Sequence, residues 1–178
     1  MEPVPCGHIG RNGLRHQVGS PTKKVMPILD ADMRRVVDEQ RLSFVATVNR
    51  DGTPNLSPKG STAVWDDDHL AFADIRSPQT ISNLETVNPA IEINVVDPIS
   101  RKGYRFRGTA TVLRSGAVYD ALLSFFRSRA VESEIGAIVL VRVRQSRPIV
   151  SPVYDTGASE SDVRALYLER LEQQRRAH

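Results

Sequence analysis

Alternation of apolar and polar residues dominates the middle of this chain and points to an antiparallel β fold. Residues 104–113 place Tyr, Phe, Gly, Ala and Val at every second position, with Arg, Thr and Leu between them. Residues 90–96 alternate in the same way, with Ile and Val on one face. A period of two residues is typical of a strand that buries one face. The turn sequence Asn-Arg-Asp-Gly at residues 49–52 favours a hairpin between two further strands.

The remaining pattern predicts six strands and four helices. The strands are residues 42–48, 53–63, 64–73 with a turn at 66–69, 90–96, 104–113 and 135–144. The helices are residues 27–41, 77–87, 116–129 and 161–177, the last with Ser161 as its N-cap, and residues 147–158 are irregular. Pro54 and Pro58 place the second strand at an edge or a bulge. Many short strands at regular spacing indicate a barrel or a sandwich.

Length and charge limit the classes of partner. The 178 residues suit one domain. The net charge of +3 resides in residues 1–24, which hold four of the 24 basic residues and one of the 21 acidic residues. We interpret residues 1–24 as a flexible extension and residues 25–178 as a single domain. Because that domain is electrically balanced, we expect no nucleic-acid partner, and no run is apolar enough to predict a membrane span.

Few side chains could perform catalysis or hold a metal. Cys6 is the only cysteine, which excludes an internal disulfide and favours a cytoplasmic location. Apart from His178, His69 is the only histidine beyond the N-terminal tail, and nothing pairs it with a nucleophile. The sequence therefore identifies no catalytic residue, and we predict no metal site. A bound cofactor fits the chemistry better than reacting side chains.

An anion site is predicted where the second helix begins. A helix N-terminus offers free N–H groups and a favourable dipole. Ser77 and Thr80 add hydroxyl groups, and Lys59 and Arg76 add positive charge. A structural interpretation stays equally open, because Ser77 fits a helix cap and Lys59 could protect an edge strand. A second basic group lies on and before the strand at 104–113: Arg101, Lys102, Arg105 and Arg107.

An ordered series of segments adds a resemblance to a known family. The segments are residues 52–60 (GTPNLSPKG), 70–74 (LAFAD), 80–84 (TISNL), 88–91 (NPAI) and 101–110 (RKGYRFRGTA). Together they resemble the pyridoxamine 5′-phosphate oxidase-related family, the FMN-binding split barrels, over about residues 27–144. The resemblance implies a mainly β fold, a six-stranded antiparallel split β-barrel with flanking helices. It also implies a homodimer with FMN in two clefts at the subunit interface.

The resemblance also assigns expected cofactor-binding residues. Those at the flavin ring are Ser57, Pro58, Lys59 and Gly60. Those along the ribityl chain and phosphate are Asp74, Ile75, Arg76, Ser77, Thr80 and Asn83. Lys102 and Tyr104 are expected to complete the site of the partner subunit.

Two departures from the family pattern limit the functional expectation. Gln79 and Thr80 replace an Arg-Lys pair at the helix start, and residues 151–155 replace a C-terminal signature with Trp and Arg. Vitamin B6 oxidation is therefore in doubt, and we expect an FMN-dependent oxidoreductase with an unidentified small-molecule substrate. The alternatives are a non-catalytic protein that binds or stores a flavin, a deazaflavin or haem, and a structural dimer with an empty cleft.

Overall fold

Residues 27–177 are described by the computed structural model. The expected flexible extension at residues 1–24 lies outside the described residues. The strands are β1 (Ser43–Val48), β2 (Pro54–Lys59), β3 (Ala63–Val64), β4 (His69–Asp74), β5 (Ala90–Asp97), β6 (Lys102–Leu113) and β7 (Ala137–Val150). The helices are α1 (Ala31–Gln40), α2 (Pro78–Thr86), α3 (Ala117–Ser128) and α4 (Glu160–Arg176), with a 3₁₀ helix at Pro152–Thr156.

One curled antiparallel sheet contains all seven strands, in the order β2-β1-β5-β6-β7-β4-β3. The mainly β split-barrel prediction is confirmed, and the strand count of six is one too low. The predicted strand at residues 64–73 is two strands, β3 and β4, which residues 65–68 separate. Residues 60–62 cross from one edge of the sheet to the other. Ser43 Oγ at the start of β1 and Thr62 Oγ1 just before β3 are 2.6 Å apart. Strand β2 lies at an edge, as its two prolines predict.

Two apolar clusters hold the sheet and helices together. The larger cluster fills the concave side of the sheet and includes the fully buried Phe72 and Phe106. The smaller cluster packs Leu122 and Phe126 of α3 against the other side of β4 and β7. Strand β4 is buried on both faces, which explains its unbroken run of apolar residues at positions 70–73.

The C-terminal part differs from the sequence prediction in two places. Strand β7 continues to Val150 instead of ending at residue 144, because it pairs with β6 along its whole length. Pro148 is tolerated there because β4 pairs with β7 only as far as Arg142, which leaves the later part of β7 with a free edge. Helix α4 is capped by Ser159 instead of Ser161, and Ser159 Oγ accepts a hydrogen bond from Asp162 N at 3.2 Å.

Within residues 27–177, no helix has the length and apolar character needed to span a membrane.

Candidate functional site

A cleft of about 420 Å³ opens at the gap between the two sheet edges. The turn after β2 forms one wall, and the end of β4 with the start of α2 forms another. The segment after α3 closes the third side. The lining residues are Pro58, Lys59, Gly60, Ser61, Ala73, Ile75, Arg76, Ser77, Ala130, Val131, Glu132 and Ser133. The sequence therefore predicted two walls of this cleft and missed the third.

Lys59 is the buried cation of the cleft. Only 5% of its surface is exposed, because β2 turns this side chain towards the inside of the sheet. Its Nζ donates a hydrogen bond to Ser57 Oγ at 2.5 Å and lies 5.6 Å from the centre of the Phe72 ring. Within residues 27–177, Lys59 forms no ion pair. A buried ammonium without a carboxylate in contact is unfavourable and marks a place where a polar ligand group would be stabilised.

Burial lowers the pKa of Lys59 below its ordinary value of 10.5, and nearby Asp74 opposes part of that change. The folded protein therefore binds this proton less tightly than the unfolded chain does. The buried charge destabilises the fold at neutral pH. That penalty disappears as the pH rises from the folded-state pKa towards 10.5.

We predict that Lys59→Met raises the melting temperature at pH 7, by about 2–4 °C for each kcal/mol gained. The difference from wild type should shrink at pH 10.5, and thermal melts at both pH values would measure it. Lys102→Met is the control, because Lys102 is half-exposed and pairs with Glu160 at 3.0 Å. A destabilised Lys59→Met variant, or a pH-independent gain, would contradict this electrostatic interpretation.

Asp74 already occupies the helix start that was predicted to bind phosphate. Its Oδ1 accepts a hydrogen bond from Ser77 N at 3.0 Å and another from Ser77 Oγ. A carboxylate at this position complements the helix dipole as an external anion would. Ser77 is the N-cap of α2, but its hydroxyl bonds to Asp74 and not to the helix backbone. The Ser77 hydroxyl is therefore already bonded to Asp74, and it does not cap the helix as the structural interpretation expected.

Thr80 and Asn83 face the interior of the protein and not the cleft. Each is 1% exposed. Asn83 Nδ2 donates to Thr47 Oγ1 at 3.1 Å and to Asn49 Oδ1 at 2.9 Å. Thr80 Oγ1 accepts from Asn55 Nδ2 at 3.2 Å. These two side chains join α2 to the β1–β2 hairpin.

Lys102 and Tyr104 line a different, smaller cleft of about 150 Å³ between α1, β6 and α4. Tyr104 donates its hydroxyl proton to Asp32 Oδ2 at 2.6 Å, which raises the pKa of Tyr104 to about 12. Lys102 Nζ lies 4.3 Å from the centre of the Tyr154 ring. Neither residue reaches the larger cleft in its own protomer, so a contribution to the site of a partner subunit stays a prediction.

Exposed side chains complete the larger cleft. Pro58 and Ile75 present apolar surface, and Arg76 is exposed and forms no ion pair with any residue of the range 27–177. A side chain added at Gly60 would meet no atom within 4 Å, so the cleft is open above this backbone. The predicted residues that line the larger cleft are Pro58, Lys59, Gly60, Ile75, Arg76 and Ser77. Ser57 is hydrogen-bonded to Lys59.

Sequence reasoning missed the segment after α3 and the polar network under α2. Ala130 ends α3 with a positive φ of 61°, which turns residues 131–133 over the cleft. This position holds neither glycine nor asparagine, the residues that favour a left-handed conformation. The sequence therefore does not predict the turn. The position of Thr47 could have been predicted, because it is a polar residue at an inward position of a strand in which four of six residues are apolar.

Comparison with known proteins identifies the family to which this fold belongs. The family model described as pyridoxamine 5′-phosphate oxidase matches residues 29–166, most of the chain. The chain belongs to the pyridoxamine 5′-phosphate oxidase family. A search of curated protein sequences gives no match.

Solved structures agree with the family assignment. HupZ from Group A Streptococcus is 33% identical, with a TM-score of 0.62 over 68% of this chain and 94% of that chain. A putative pyridoxamine 5′-phosphate oxidase from Lactobacillus delbrueckii is 21% identical, with a TM-score of 0.59 over 68% and 94% of the two chains. An FMN-binding protein from Syntrophomonas wolfei is 14% identical, with a TM-score of 0.57 over 67% and 84%. The last two support the fold alone.

Proposed function

We propose that the protein is a cytoplasmic homodimer that binds FMN in the larger cleft and acts as an oxidoreductase on a small molecule. The observation that carries this proposal is Lys59, a buried lysine that lines the cleft and whose ammonium has no ion-pair partner among residues 27–177. Membership of the pyridoxamine 5′-phosphate oxidase family supports a flavin as the occupant. Bound FMN would supply the redox chemistry, while the protein binds and orients it.

The chemistry of the cleft fits a flavin ring better than it fits a strongly held phosphate. Lys59 supplies a positive donor suited to the polar edge of the ring, and Pro58 and Ile75 supply apolar surface for its faces. A volume of about 420 Å³ lies within the usual range for ligand sites. At the phosphate end, Asp74 already occupies the helix start, so Arg76 is the cation left to hold the phosphate. We therefore expect FMN to bind only modestly more tightly than riboflavin.

Flavin titration tests the proposal. Purified protein should quench the fluorescence of added FMN and retain the flavin spectrum through gel filtration. Arg76→Gln should weaken FMN binding and leave riboflavin binding unchanged, because only FMN carries the phosphate. Reduction of the bound flavin by a nicotinamide cofactor, with reoxidation by air, would support an oxidoreductase over a storage protein. No uptake of FMN, or a retained deazaflavin or haem spectrum, would overturn the FMN assignment.

The proposed homodimer rests on an exposed apolar face at the edge of the sheet. Phe44 and Val48 of β1 and Leu56 of β2 point outwards and are 41–65% exposed. Pro54 and Pro58 lie on the same face, since they pair with Val48 and Phe44 across the two strands. A contiguous apolar patch of this kind is typical of an interface between proteins. The Pro58 end of this face borders the larger cleft, so a partner there would help to enclose a ligand.

We predict that Leu56→Glu converts the dimer into a monomer without loss of folding. Leu56 is 65% exposed, so a charge there is harmless in the monomer and destabilising when buried. Sedimentation velocity would measure the oligomeric state. Leu168→Glu on α4, where Leu168 is 50% exposed, is the matched control and should leave the dimer intact. A wild-type monomer, or dissociation by both variants, would contradict the proposed interface.

A further inference from the structure

An excess of arginine covers the outer face of β6 and β7, and none of these arginines lines the larger cleft. Five guanidinium groups project from this face: Arg105, Arg107, Arg142, Arg144 and Arg147. Glu92 is the carboxylate that pairs with them, at 3.1 Å from Arg105 Nε and 2.9 Å from an Arg107 Nη. Arg142, Arg144 and Arg147 form no ion pair within residues 27–177. The balanced charge of the domain is therefore unevenly distributed on its surface.

A β-bulge creates this concentration of charge. Arg107 pairs with Gln145 and Gly108 pairs with Val143, so Arg144 is an extra residue in β7. Before the bulge, Arg142 and Arg144 point outwards; after it, Gln145 and Arg147 point outwards. Without the extra residue, strict alternation would turn Arg147 inwards. The bulge thus aims Arg147 at the same face as Arg105 and Arg107.

Gly108 makes this bulge possible. A side chain at Gly108 would place its Cβ 2.2 Å from the backbone oxygen of Arg142, far inside any allowed contact. The two strands therefore approach each other more closely here than any other residue type would permit. Bulges are over-represented beside functional sites, where they redirect a side chain.

The arrangement places like charges directly opposite each other. Arg105 and Arg147 are cross-strand neighbours, a pairing that destabilises a sheet unless something neutralises it. Arg105, Arg107, Arg147 and the Gln145 amide surround a small cleft of about 30 Å³. Each of these side chains carries N–H donors, and guanidinium groups match oxyanions in a fork geometry.

We propose that Arg105, Arg107 and Arg147 form a binding site for the phosphate group of a small phosphate monoester, separate from the flavin cleft. Three arginines and Glu92 leave a local charge of about +2, which a phosphate monoester dianion neutralises at pH 7. The small cleft admits the phosphate alone, so the ester group stays outside it. A carboxylate monoanion would accept hydrogen bonds from fewer of these donors and would neutralise only half of the local charge.

Calorimetric titration with phenyl phosphate at low ionic strength tests this site, with benzoate as a monoanion of similar size. Wild type should bind phenyl phosphate more tightly than benzoate. Arg147→Gln should weaken phenyl phosphate binding by about tenfold, since it removes one charge-assisted pair. This change breaks no ion pair among residues 27–177, so the fold should persist. Binding should also weaken below about pH 6, where the monoester gains a proton.

Arg175→Gln is the matched control, because it removes the same charge from the exposed end of α4. Equal weakening by Arg175→Gln, or no binding by wild type, would overturn the site. FMN affinity should be unchanged in Arg147→Gln; a parallel loss would assign the arginines to the flavin phosphate and overturn a separate site. Phenyl phosphate titration needs no flavin, so failure of the FMN proposal would leave this test intact.

Discussion

Replacing Gly60 with valine is expected to weaken flavin binding by about a hundredfold while the protein stays folded. The backbone at Gly60 borders the larger cleft, and a Cβ there would meet no protein atom within 4 Å. The variant should therefore melt within about 2 °C of wild type. If FMN lies against this backbone, the added methyl groups occupy its place. Forcing carbons into a packed contact costs up to about 3 kcal/mol.

Fluorescence titration with FMN measures this effect, and thermal melts without ligand verify the fold. Gly60→Ala is the graded control, because it adds one carbon at the same position and should produce a smaller loss. Full affinity in Gly60→Val would show that no flavin approaches this turn. The assignment of residues 57–60 to the flavin ring would then be wrong.

Replacing Asn83 with alanine is expected to destabilise the protein by about 3 kcal/mol, because buried partners lose their hydrogen bonds. Asn83 donates to Thr47 and Asn49, and its Oδ1 accepts from Gln79 Nε2 at 2.8 Å. For a domain of this size the melting temperature should fall by about 6–12 °C. Below that temperature, the variant should bind FMN as wild type does.

Gln79→Ala is the control for the Asn83 variant, because Gln79 is exposed and shares one of these hydrogen bonds. The Gln79→Ala substitution should lower the free energy of unfolding by about 1 kcal/mol or less. Differential scanning calorimetry and flavin titration on the same samples separate stability from binding. An Asn83→Ala variant with normal stability and lost FMN affinity would restore Asn83 to the phosphate site that the sequence predicted.

The sequence predicted the structure correctly where the local pattern of residues matches their environment in the folded protein. Alternation along β5 and β6 is a backbone property, so it predicted these strands and their buried faces correctly. Pro54 and Pro58 identified an edge strand because proline lacks the N–H that an inner strand needs. The ordered motif series identified the family, which the match over residues 29–166 confirms.

The sequence was least informative where the position of a side chain depends on a distant segment. Thr80 and Asn83 have the right chemistry for phosphate, but their orientation depends on how α2 packs over the β1–β2 hairpin. Ser77 and Asp74 satisfy each other locally, and the sequence gives no way to tell that pairing from a site open to an external anion. The loop over the cleft depends on a left-handed residue, Ala130, that no local rule predicts.

Residue order alone determined the strand periodicity and the positions of the edge prolines, because these depend on neighbours in the chain. Only the tertiary structure decided which polar groups face a ligand and where charge accumulates. A single extra residue, Arg144, reverses the alternation of β7 and brings Arg147 beside Arg105 and Arg107. Their separation in sequence hides this cluster, because strand register, and not composition, determines which side chains become neighbours.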